Sequence, residues 1–187
     1  MGEDLAETRV GMSPAAAPKT IETARLTLRR QRVSDAAVCR QLWTERDERV
    51  PSHWRIDAHG HPTEQDIAAR IRDEQKASWP GLLTVERKGT ADVIGYCGLV
   101  SSGNGSEEEP ELAFELLRAV HNQGYATEAS HAVISWASGA GYPRLWAGVW
   151  DWNVASRRVL EKLGFRDTGQ VNPETVHGRS LLTVIEL

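Results

Sequence analysis

Three groupings of residues in this 187-residue chain can do chemistry. In the run LLRAVHNQGYATEAS, a strand-like segment passes through a short turn holding Gly124 into a helix of small residues. A helix N-terminus exposes unpaired N–H groups and a partial positive charge, so such a junction can hold a pyrophosphate with backbone donors alone. Gly124 lets the chain turn and a phosphate approach, Ala126 keeps the next position small, and Thr127 offers a hydroxyl. The same pattern also fits an ordinary strand-to-helix turn. The second grouping is ELAFELL, where alternation sets Glu111 and Glu115 on one strand face. A carboxylate there can take a proton from an attacking group or sit solvated, the commoner fate of a surface glutamate. In the third, WDWNVASRRVLEKLGF, Asn153 stands where an N-cap would and Ser156 follows three residues later. Both polar groups then emerge at one helix mouth, whether as plain caps or as ligand contacts.

Other reactive residue types point nowhere in particular. Cys97 lies inside VIGYCGLV with no neighbouring histidine or base, which predicts a buried structural thiol. Cys39 is far from it, and neither belongs to a CxxC or Cys/His cluster, so neither a disulfide scaffold nor a metal site is expected. His53, His59 and His61 fall in one irregular loop and read as surface. A nucleotide-binding loop is excluded by motif, because no Lys-Ser/Thr follows the glycine turn and no GxGxxG occurs.

The elements that must position these groups follow from periodicity. Residues 1–20 are rich in Ala, Pro, Gly and charge and read as a flexible leader, with 21–187 as a single domain. Alternation predicts a strand around Leu26 and Leu28. A helix capped by Ser34 or Asp35 then places Ala37, Val38, Leu42 and Trp43 inward. A second helix runs from Thr63, its cap, to about Ser78. LLTVER and VIGYCGLV form a hairpin over a turn at Lys88 to Asp92, and SSGNGSEEE is a polar loop. A helix from Gly124 to about Ala140, the strand LWAGVW, a short helix stopped by Gly164 and two last strands complete a mixed α/β order that ends in an antiparallel pair.

HNQGYATEA resembles the cofactor loop of the GNAT acetyltransferases, usually Gln or Arg, two residues, Gly, one residue, then Gly or Ala. Gly124 and Ala126 match, His121 departs, and Tyr125 to Ala129 are similar to the RimJ/RimL-like branch, which includes enzymes acting on ribosomal-protein N-termini. Asn153 and the Lys162-Leu-Gly-Phe turn resemble the family's second signature. The resemblance implies a central mixed, mostly antiparallel sheet, splayed between the fourth and fifth strands and flanked by helices. It implies acetyl-CoA as acyl donor, held by Leu116, Leu117, Arg118, His121, Asn122, Gln123, Gly124, Tyr125, Ala126, Thr127, Asn153 and Ser156, with no metal. An amine acceptor would attack directly in a ternary complex, deprotonated by Glu111 or Glu115, with an N–H near Leu116 polarising the thioester. Many relatives carry a tyrosine at position 160 that protonates the leaving thiolate; Leu160 has no such proton, and Ser156 is the substitute. Trp43, Trp54 and Trp79 fall in the region that shapes the family's acceptor pocket, or in the core. The opposing expectation is a CoA-sensing or partner-binding module that has lost catalysis.

Bulk properties lead to the expectation of a protein that stays in the cytoplasm. Lys+Arg 22 against Asp+Glu 26 gives a net charge of -4, so no basic field gathers nucleic acid or anionic lipid. No run reaches the roughly 18 apolar residues of a membrane span. Assembly as a homodimer stays open.

Overall fold

A computed structural model describes residues 18–76, 80–101, 103, 105–171 and 175–187. Eight strands form one sheet: β1 (Thr20–Glu22), β2 (Leu26–Arg30), β3 (Leu82–Arg87), β4 (Val93–Val100), β5 (Glu111–Leu116), β6 (Arg144–Trp150), β7 (Arg166–Val171) and β8 (Ser180–Glu186). Their order across the sheet is β1-β2-β3-β4-β5-β6-β8-β7. Every neighbouring pair is antiparallel except β5 and β6, which run parallel and share a single register pair, Glu111 with Trp146. The expected splayed, mostly antiparallel sheet is therefore present. The parting lies between the fifth and sixth strands because a bend at Thr23–Arg25 separates Thr20–Glu22 as a strand of its own. Thr20 thus already belongs to the sheet, and residues 1–17 of the expected leader lie outside the described residues.

Helices cover both sheet faces. On one side lie α3 (Tyr125–Gly139) and α4 (Val154–Lys162), whose Ala129, Val133, Ala137 and Leu160 join Leu112, Leu116, Leu145, Ala147 and Val149 in the main core. The small residues of α3, foreseen from the sequence, let the helix lie close on the strands. On the other side α1 (Ala36–Glu45) and α2 (Glu64–Glu74) make a smaller cluster of Ala36, Cys39, Ile67, Ala68 and Ile71. Here the predicted phase of α1 is corrected: Ala36, Cys39 and Leu42 are buried, Ala37 is exposed, and Val38 and Trp43 are half-buried.

The cap assignments split. Thr63 caps α2 by accepting from the Asp66 amide, and Asp66 returns the bond to the Thr63 amide. The helix ends at Glu74, and the expected end near Ser78 lies outside the described residues. Asp35 stands at the N-cap of α1 without capping it. Its buried carboxylate instead takes two bonds from Arg29, at 2.8 and 3.0 Å, one from Thr84 Oγ1 and one from the Arg32 amide. Burial alone would raise its pKa; the Arg29, Arg32 and Thr84 donors outweigh that and hold it below the ordinary aspartate value.

Candidate active site

In the β4–β5 pair, the Leu117 amide bonds to the Ile94 carbonyl, so Ala113, Glu115 and Leu117 turn their backbone polar groups toward β4. Alternation then turns those of Leu112, Phe114 and Leu116 toward the gap before β6. At the N-terminal end of that gap the Trp146 amide bonds to the Pro110 carbonyl. In a continued parallel ladder the next β6 amide, Gly148, would reach the Leu112 carbonyl. It donates instead to Glu111 Oε1, at 2.8 Å. A side chain thus takes the place of the rung, and the strands part there.

At the other end of β5 the chain makes a 3-10 turn at Arg118–Val120 and reaches α3 through Asn122 and Gly124, both left-handed at φ 62° and 82°. The first amide to bond back into the helix is that of Glu128, to the Gly124 carbonyl. The amides of Asn122, Gln123, Gly124, Tyr125, Ala126 and Thr127 have no partner among the described residues. Six donors gathered in a left-handed turn at the head of a 15-residue helix form a concavity suited to an anion. Three neighbours expected to join them are committed elsewhere. The Leu117 amide is paired with β4, the Arg118 amide donates to Glu45 Oε2 at 2.7 Å, and His121 Nε2–H donates to the Leu116 carbonyl at 2.8 Å. His121 is thus folded back onto the strand end.

An arginine distant in sequence closes the cradle from behind. Arg25, in the β1–β2 bend, pairs with Glu128 through Nε at 2.7 Å and NH2 at 2.6 Å, donates from NH1 to the Gln123 carbonyl at 3.0 Å, and lies 4.4 Å over the Tyr125 ring. Glu128 also accepts from Thr23 Oγ1 and the Arg25 amide. Sequence reasoning missed this pair, since the partners are 103 residues apart.

The two strand glutamates share a face but not a site, for four residues of strand separate them by about 13 Å. Glu115 is clamped by Arg46 through Nε at 2.9 Å and NH2 at 2.6 Å, and accepts from Tyr96 Oη at 2.7 Å. Burial, with the Glu115 charge behind it, pushes the Tyr96 phenol far above its ordinary pKa and keeps it a neutral donor. Arg46 also donates to the Trp54 carbonyl and covers the Trp43 ring at 4.3 Å. Glu111 stands at the parting itself.

Past the parting, Asn153 caps α4 by accepting from the Ser156 amide at 3.1 Å. The Ser156 hydroxyl, half-buried in the first turn, has no partner among the described residues. Leu160 is 3 % exposed and belongs to the core. On the gap-facing edge of β6, Leu145, Ala147 and Val149 point into the core, which sets Trp146, Gly148 and Trp150 on the opposite face. Trp150 stacks on Trp152 at 6.3 Å, with Arg49 4.2 Å over Trp152 and His177 edge-on to Trp150. Among the tryptophans singled out in advance, Trp43 lies under Arg46, Trp54 is half exposed, and Trp79 is outside the described residues.

The remaining candidates are structural. Cys97 is fully buried, 3.5 Å from Ser130 Oγ, and burial pushes its thiol up to about 12, so it carries no thiolate at neutral pH. His53 packs edge-on to Trp54, and His61 bonds Asp66 beside the α2 cap. Among the described residues no three His, Cys, Asp or Glu side chains gather as a metal site, and no helix is long and apolar enough to cross a membrane.

The sequence and the fold both have relatives among known proteins. The chain is 28% identical over 155 residues to p20, an uncharacterized N-acetyltransferase of Bacillus licheniformis, covering 81% of this chain and 84% of that one. Its fold matches the ribosomal-protein-S5-alanine acetyltransferase of Vibrio fischeri with a TM-score of 0.69 at 18% identity, over 89% of this chain and 96% of the other. It also matches yncA of Salmonella typhimurium, described as an acetyltransferase and solved with its cofactor acetyl-CoA. There the TM-score is 0.66 at 20% identity, over 87% and 94% of the two chains. The profile of the acetyltransferase (GNAT) domain matches residues 25–166, a stretch that runs from Arg25 to the first residue of β7, and the chain belongs to the GNAT acetyltransferase family.

Proposed function

We propose that this protein transfers an acetyl group from acetyl-CoA to a primary amine, by direct attack in a ternary complex in the cytoplasm. The observation that carries the reading is the set of six partnerless amides at 122–127, set beside strands that part after one rung. A diphosphate fits those donors, and an extended pantetheine arm fits the edge groups of Leu112, Phe114 and Leu116. The donor supplies an activated acyl group on a thiol of pKa about 8.5, a fair leaving group near neutral pH.

The chain's own residues then divide the work. A protonated amine has no lone pair, so a base must act first. We assign that base to Glu111, because it sits at the parting, and give Glu115 the role of holding Arg46. An edge amide of β5 near Leu116 polarises the acyl carbonyl. Ser156 donates its free hydroxyl to the sulfur as charge develops there. The GYATEA run and the likeness in fold to a ribosomal-protein acetyltransferase support a RimJ/RimL-like enzyme, with a protein N-terminus as the first acceptor to try.

The test is release of free thiol from acetyl-CoA in the presence of pooled peptides and polyamines, with mass spectrometry of the acceptors. Acceptor-dependent release supports the transferase. Leu160, apolar and buried where many relatives have an acid, favours one rival: a sensor that binds CoA without turnover. Thermal stabilisation by CoA with no release from any acceptor would establish that rival instead.

A further inference from the structure

We infer that Arg25 is a positioning residue for the cofactor: it aims the Gly124 amide into the phosphate cradle by holding the other side of the same peptide plane. The inference rests on the cradle reading above. A trans peptide points its C=O and the following N–H in opposite directions, and the plane between Gln123 and Gly124 is no exception. Arg25 NH1 donates to the Gln123 carbonyl at 3.0 Å, so the Gly124 amide must face away from the guanidinium. Without that bond the plane turns more easily, because Gly124 has no Cβ to oppose rotation about its own N–Cα bond.

The guanidinium is itself fixed from three directions. Glu128 takes Nε and NH2, the Tyr125 ring lies 4.4 Å beneath, and the Arg25 amide is tied to the same Glu128 carboxylate. Glu128 lies one helical turn after Gly124, so the arginine spans the turn and the first turn of α3 as one unit. Its NH2 would lie 3.4 Å from a Cβ built at Gly124, which places it directly behind the cradle. With its charge matched by Glu128 and its Nε, NH1 and NH2 each engaged by Glu128 or the Gln123 carbonyl, Arg25 acts through the backbone rather than on a phosphate.

Arg25→Met and Arg25→Lys separate these roles, with CoA affinity read by calorimetry, turnover at saturating acetyl-CoA, and melting temperature. For Arg25→Met the dissociation constant for CoA should rise about 10- to 100-fold, the worth of one hydrogen bond to a charged group. Saturated turnover should stay within about threefold, since the reacting groups are untouched. Arg25→Lys, which can reach the carbonyl but cannot fork onto Glu128, should recover part of the loss. The salt dependence of CoA binding should keep the wild-type slope.

A melting temperature that falls while CoA affinity stays within about twofold of wild type would reduce Arg25 to a fold contact and overturn the inference. A flattened salt slope would overturn it the other way, making Arg25 a direct phosphate ligand. If Arg25→Met does not fold, Arg25→Lys decides: a roughly threefold or greater weakening supports the inference, and unchanged affinity refutes it. Failure of the wild-type protein to bind CoA would instead sink the cradle reading.

Discussion

Replacing Gly124 sets a cost to the fold against a cost to the cofactor, and the structure gives the size of both. The residue sits at φ 82°, ψ 0°, in the left-handed region, and a Cβ there would meet only the tip of Arg25 at 3.4 Å. Steric exclusion is therefore minor and conformation decides. Alanine in that region costs about 1–2 kcal/mol, asparagine less because it tolerates the left-handed well, and a β-branched valine the most. The chain escapes the strain by rotating residue 124, so the cost to the fold is capped at roughly 2 kcal/mol, small beside a typical stability of about 5–15 kcal/mol. Rotation, however, withdraws the amides of 124 and 125 from the cradle. Two lost bonds to a charged phosphate are worth about 1.5–3 kcal/mol each, but the bound state can instead return to the left-handed well at the cost of its strain, so alanine weakens CoA by at most roughly 30-fold and valine, the most strained, by more. Calorimetric titration of Gly124→Asn, Gly124→Ala and Gly124→Val should rank affinity as wild type, Asn, Ala, Val, with all four proteins folded at 25 °C. The reasoning fails if the valine variant binds CoA within about threefold of wild type, or if asparagine is the worst of the three.

The remaining predictions concern the reacting groups and the fold beneath them. Ser156→Ala should lower turnover by roughly tenfold while CoA affinity stays near wild type, because a bond to a developing thiolate strengthens only in the transition state; equal losses in both would recast Ser156 as a binding residue. Glu111→Gln should reduce turnover by about 10²-fold with partial recovery at high pH, where free amine is already present. Glu115→Gln should instead lower melting temperature and leave the pH–rate profile in place, and a reversal of these two behaviours would move the base to Glu115. Asp35→Asn leaves Arg29 with a weaker partner at a buried site and should cost about 3 kcal/mol. The Asp35 pKa is depressed in the fold, so its contribution is complete above the unfolded value near 4 and fades as pH falls through the folded value. The gap in melting temperature between wild type and Asp35→Asn should accordingly narrow below pH 4, and a gap constant from pH 7 to 3 would contradict the assignment.

What the sequence made legible was whatever local geometry decides. Gly124 ahead of a run of small residues marks a helix that starts in a left-handed turn and packs closely, and both features are present. Thr63 with Asp66 three residues on is a self-contained box, so it too could be read directly. Asp35 looks like the same kind of residue, but its partners Arg29 and Thr84 come from strands, and no local rule ranks a buried ion pair above a cap. The phase of α1 slipped because Ala36 and Ala37 are equivalent by composition; only the approach of α2 selects Ala36 and Cys39. Arg25 with Glu128, and Glu111 with the Gly148 amide, were invisible because each needs the sheet order and register to bring distant segments together. The tryptophans on the gap face of β6 follow from alternation once the buried side is known, but the sequence LWAGVW does not say which side that is.

The parted strands explain why a glutamate on β5 has to be where it is. An open strand edge inside a sheet leaves N–H and C=O groups without partners, which is costly unless water or a ligand satisfies them. β6 is held instead from its far side, where it pairs with β8 along all seven of its residues, and by the core beneath Leu145, Ala147 and Val149. That support lets β6 stand off from β5 without unravelling. The gap still needs a fixed starting point, or the ladder would zip closed by further parallel rungs. Glu111 supplies it: by taking the Gly148 amide it removes the donor that the next rung would use. The same carboxylate is thereby pinned at the mouth of the gap, beside the strand edge on which an acyl donor would lie. A residue that holds the Gly148 amide at the parting also stands at the gap in which the proposed acyl donor would lie, and that coincidence is why we propose Glu111, rather than the clamped Glu115, as the base.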